Sequence, residues 1–63
     1  MDVGQTVYTV NNKTGEVDTW TYRGALRTPK ELLAHLVSGK KCMFLPVRCV
    51  FESKRQAERI AKS

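Results

Sequence analysis

A chain of 63 residues with 11 Lys+Arg against 6 Asp+Glu carries a formal net charge of +5 and is expected to form one small domain over 1–63. At that size a folded chain buries only about 60% of its unfolded surface, which leaves no room for a second domain or a large enclosed core. With 41% hydrophobic residues it is apolar enough to fold, yet its longest apolar run falls well short of the roughly 20 residues that carry a helix across a bilayer.

The N-terminus, Met1-Asp2-Val3-Gly4-Gln5, has neither a basic n-region nor an apolar h-region. A cytoplasmic chain with reduced cysteines is therefore expected, with no membrane partner. Residues 5–10 and 16–22 are rich in β-branched and aromatic side chains, and Asn11-Asn12-Lys13-Thr14-Gly15 between them suits a tight turn. That pattern predicts a β-hairpin. In its second strand Trp20 and Tyr22 share a face with Glu16 and Asp18. Trp20 and Tyr8 read first as core residues, and second as an aromatic platform for stacking or for a protein partner.

Arg23-Gly24-Ala25-Leu26-Arg27 reads as a connector turning at Gly24. Thr28-Pro29-Lys30-Glu31 then has the form of a capping box with proline at the first helical position, and Gly39 suits a helix stop. This predicts a helix to about Ser38, with Leu32, Leu33, Leu36 and Val37 as its apolar stripe and His35 on its solvated side. Lys40 and Lys41 follow, where a helix C-terminus favours positive charge.

The run from Cys42 to Phe51 is the longest apolar stretch, with Arg48 its one charge. It reads as buried strand divided by Pro46, one extended piece over 41–45 and another over 47–51. Ser53-Lys54-Arg55-Gln56 repeats the capping pattern and opens a C-terminal helix, whose stripe of Ala57, Ile60 and Ala61 faces the sheet while Lys54, Arg55, Arg59 and Lys62 face out. The expected class is α+β: a small antiparallel sheet, made of the N-terminal hairpin and the central strand or strands, covered by two short helices. The alternative is an SH3-like barrel with a helical insertion and a C-terminal helix.

Little in the chain points to catalysis. His35, Cys42 and Cys49 are the soft metal ligands, but a structural zinc site takes four, with a closely spaced pair among them. Buried structural cysteines are the expected state, and a bend at Pro46 that brought them together would still meet a reducing cytosol. Paired carboxylates, a phosphate-cradling glycine loop and a serine nucleophile motif are absent from the sequence. A non-enzyme without metal or cofactor is expected.

Charge is the remaining signal. Residues 1–22 set Lys13 against Asp2, Glu16 and Asp18, so the basic excess falls entirely on the later part of the chain. Arg23, Arg27, Lys40, Lys41, Lys54, Arg55, Arg59 and Lys62 form the candidate binding set. Nucleic acid is the first candidate partner, since phosphate contacts need only Lys and Arg in register with the backbone. A protein partner held by the Trp20/Tyr22 hairpin face or by a sheet edge is the second. A homodimer would also add buried area to so small a domain.

The segment from Val47 to Ala61 resembles the closing strand and helix of small phage and plasmid accessory proteins, in which an aromatic ends the strand, Ser or Thr caps, and alanines dock the helix. The hairpin with Thr14-Gly15-Glu16 is similar too. The resemblance implies an accessory or regulatory factor of a mobile element that acts by binding, on an SH3-like or small α+β fold.

Overall fold

In the computed structural model, which describes residues 1–62, the two N-terminal β-rich stretches form the expected antiparallel hairpin of β1 (Thr6–Val10) and β2 (Val17–Arg27). Its connection is closed by local groups. Asn11 Oδ1 accepts the Lys13 N–H at 2.9 Å, and the Gly15 N–H donates to the Asn11 carbonyl at 2.6 Å. Gly15 takes φ +76°, which glycine reaches without steric cost.

β2 runs on through the predicted connector. Tyr22 faces Leu36 and Ala25 faces Ala34, which leaves Arg23 and Gly24 opposite His35 alone. Two residues against one make a bulge, and a bulge bends its strand. Gly24 sits there at φ +127°, so the glycine that suggested a turn instead lets a long strand bend without ending.

The helix predicted over 28–38 is not formed; Leu32–Ser38 is a strand, β3. Thr28 does make cap-like bonds, but they close a hairpin loop. Its Oγ1 accepts the Glu31 N–H at 3.0 Å and donates to the Glu31 carbonyl at 2.6 Å, and its own N–H donates to that carbonyl at 2.9 Å. β3 lies between β2 and its other neighbour, β4 (Lys41–Pro46), in a sheet of order β1-β2-β3-β4. An interior strand has apolar side chains on both faces. A short run of that kind has the same composition as a buried helix, and periodicity alone does not separate them.

β4 matches the first predicted extended piece. The second, over 47–51, is not a strand: Val47–Cys49 is a 3-10 turn that begins after Pro46. Val50 then enters the core, and Phe51 pairs antiparallel with Tyr8 on the free side of β1. The sheet therefore curls, and the chain returns to its first strand.

Val7, Tyr22, Ala34, Leu36 and Val50 fill the concave side, with Trp20, Met43, Leu45 and Val47 packed against them. Leu36 and Val7 are its largest fully buried side chains. Cys42 and Cys49 are not in this core; both thiols are free and exposed, one on the convex face of β4 and one in the 3-10 turn.

Among the described residues Lys54–Ala61 forms the one α-helix, α1, as predicted for the C-terminal segment. Ser53 stands at its N-cap position without a side-chain cap bond, so the second capping box is not made. α1 rests on β1 and β2 and buries Ala57 completely. Ile60 shares a hollow with Val10 and Phe51, and Val10 alternates with the buried Val7 and Thr9, so the helix covers the β1–β2 part of the convex face. The class is α+β and strand-dominated, with one α-helix among the described residues where two were expected. No described helix is long and apolar enough to cross a membrane.

Candidate functional site

Because β1 to β4 run up and down in sequence order, the β1–β2 turn and the β3–β4 turn emerge at the same end of the sheet. The β2–β3 loop lies at the other. This sorts the basic residues. Lys13 on the first turn joins Lys40 and Lys41 on the third. The last turn of α1 lies near Val10 and Asn12, since Ile60 lines one hollow with them and with Arg48, Cys49 and Phe51, and Arg59 and Lys62 flank Ile60 along the chain. Glu16 and Asp18 lie at the start of β2 there, and Glu58 precedes Arg59 on α1.

The remaining cations lie elsewhere. Arg27 ends β2 at the far loop with Lys30, and Arg48, on the 3-10 turn, pairs with Glu31 at 3.3 Å while also lining the hollow of Val10, Asn12 and Ile60. Arg23 stands on the convex face at the bulge, opposite His35. Lys54 and Arg55 occupy the first turn of α1. The predicted basic set is exposed throughout, but the fold divides it among these places.

At the turn end the concave side is not filled. A groove of about 450 Å³ opens there between the hairpin and β4, with Val10, Trp20, Met43 and Leu45 as its apolar lining. Thr9, Asn11, Asn12, Lys13 and Asp18 form the polar part of its wall. The Trp20 indole N–H donates to Thr9 Oγ1 at 2.8 Å, which satisfies its one polar atom and fixes the ring. Lys41 alternates with Met43 and Leu45 along β4, so it borders the same groove.

Of the two aromatics predicted for a binding surface, Trp20 is half-buried at this groove, whereas Tyr22 is only 8% exposed and belongs to the core. Tyr22 is therefore removed from the candidate surface. A different aromatic takes its place on the opposite face of the sheet. Phe44, half-exposed, stacks on His35 with ring centroids 4.6 Å apart and planes 7° from parallel. Sequence reasoning missed this pair because a helical 28–38 put His35 on another element, and an entirely buried 42–51 put Phe44 in the core. The sequence signal was the period-two alternation Leu33, His35, Val37 against Ala34 and Leu36.

Cys42 pairs across the strands with Val37 on this convex face, next to the His35–Phe44 pair. The imidazole is occupied with the phenyl ring. Among the described residues no group of three or more His, Cys, Asp or Glu gathers as a metal cage. What the arrangement offers is a basic end with an aromatic groove, and an apolar convex patch. Compared with known proteins, the chain matches no family model, no curated protein and no solved structure.

Proposed function

We propose that the chain is a small non-enzymatic binding protein whose basic turn end engages nucleic acid. The supporting observation is the placing of Lys13, Lys40 and Lys41 at one end of the meander, beside the groove that holds Trp20, with the last turn of α1, which carries Arg59, close to Val10 and Asn12. Phosphates are bound by cations that need only follow the backbone, and each contact releases condensed counterions. Glu16 and Asp18 at the same end repel phosphate and so restrict the path the backbone takes across it.

We also read the fold as a small SH3-like barrel with an appended C-terminal helix and no helical insertion. Its support is the order β1 to β4, the 3-10 turn, and the return of Phe51 onto β1. A role as a cytoplasmic accessory factor of a mobile element rests on the sequence likeness alone.

The test is purification without nuclease at low salt. Nucleic acid should co-purify, shown by excess absorbance at 260 nm, and should leave on nuclease treatment or in high salt. A preparation free of nucleic acid under those conditions would overturn the reading.

A second reading has its own observation. Among the described residues β4 pairs with β3 on one side only, and its outward-facing Phe44 is half-exposed beside that open edge. An open edge with an apolar side chain is suited to a protein partner, including a second copy of the chain.

A further inference from the structure

We infer that the groove at the turn end is a base-stacking site, so that the nucleic acid held there is single-stranded. The inference rests on the nucleic-acid reading proposed above and adds to it the ligand's form. A base presents a flat π-face and stacks on an aromatic side chain whatever the sequence. Trp20 is such a side chain. Its N–H is committed to Thr9 Oγ1 at 2.8 Å, the ring is fixed by that bond, and Met43 and Leu45 continue the apolar lining.

Charge is distributed to match. Lys13 lines the groove and Lys41 borders it on β4, so a phosphate on either side of a stacked base meets an ammonium group. Asp18 lines the groove as well. A carboxylate cannot take a phosphate, but it accepts hydrogen bonds from the amino groups of bases. Asn11 and Asn12 complete the wall, with Asn11 Oδ1 already accepting the Lys13 N–H at 2.9 Å. A duplex keeps its base faces stacked on one another and can offer this groove only its phosphates.

The protein reports on the site directly, because Trp20 is its one tryptophan. Wild-type protein is titrated at low salt with a single-stranded oligonucleotide of mixed sequence and, separately, with the duplex of the same sequence and length. Intrinsic fluorescence and the anisotropy of an end label are read in parallel. The expected result is tighter binding of the single strand, with fluorescence quenching that saturates at the same midpoint as the anisotropy. Trp20→Phe should retain binding within a few-fold, whereas Trp20→Ala should weaken it roughly tenfold or more. Anisotropy without quenching, or a duplex bound as tightly as the single strand, would overturn the stacking site while leaving the basic end intact. Failure of both ligands to bind would overturn the basic-end reading and this inference with it.

Discussion

Tyr8 and Phe51 exchange both backbone hydrogen bonds, each N–H donating to the other's carbonyl at 2.8 Å. This pair joins the last extended residue to the first strand, and it closes a meander that would otherwise be open on both sides. It is a backbone joint, since the Phe51 side chain is only half-buried, whereas Leu36 is fully buried.

Truncating these two residues should therefore have unequal effects. Leu36→Ala should cost about 2–5 kcal/mol, enough to unfold much of a domain this small. Phe51→Ala keeps both backbone bonds and should cost clearly less. Urea denaturation of the two variants measures the difference. Equal losses would mean that the run 42–51, rather than Leu36 and Val7, forms the centre of the core.

The Trp20–Thr9 bond supports a second prediction. Thr9 is 6% exposed, so Thr9→Val removes the acceptor and leaves the part-buried indole N–H without its partner. The expected loss is about 1–3 kcal/mol, with a shift in the tryptophan emission spectrum. An unchanged melting curve and spectrum would show that the ring is not held by this bond.

Gly24 allows a test of the bulge alone. A Cβ added there would meet nothing within 4 Å, but the residue sits at φ +127°. Gly24→Ala should then cost about 1–3 kcal/mol through backbone strain, with no steric contribution. A neutral result by thermal denaturation would show that the bulge relaxes freely.

The exposed thiols give a prediction in the opposite direction. Cys42→Ser with Cys49→Ser should leave both stability and any nucleic-acid binding within experimental error of wild type, since neither thiol is buried or bonded to the other. A folded but inactive double variant would mean that the thiols carry function.

The sequence made some of this legible and hid the rest for identifiable reasons. The hairpin 6–27 could be read as far as Tyr22 because alternation and an Asn/Gly turn act over a few residues. The strand β3 could not, because Thr28 makes the same bonds to Glu31 in a hairpin loop that it would make in a cap. Leu32–Ser38 is apolar on both faces, as an interior strand requires, and helix propensity in such a run is overridden by the sheet on either side. The site divides in the same way. Trp20 and the lysines were visible as residue types, but their meeting at one end depends on the direction of each strand. Tyr22 was misplaced because alternation names a face without saying which face is covered.

The most direct test of the basic turn end is the salt dependence of oligonucleotide affinity in matched pairs of charge deletions. Lys40→Ala with Lys41→Ala removes cations at the turn end, and Arg27→Ala with Lys30→Ala removes the same number at the opposite loop. All four side chains are exposed, so folding should survive in both variants. For wild type, affinity should fall steeply as salt rises. The turn-end variant should bind more weakly at low salt, with a slope of log affinity against log salt flatter by roughly one unit per lost contact, while the loop variant follows wild type. Equal slopes in all three proteins, or the larger effect at the far loop, would contradict the account.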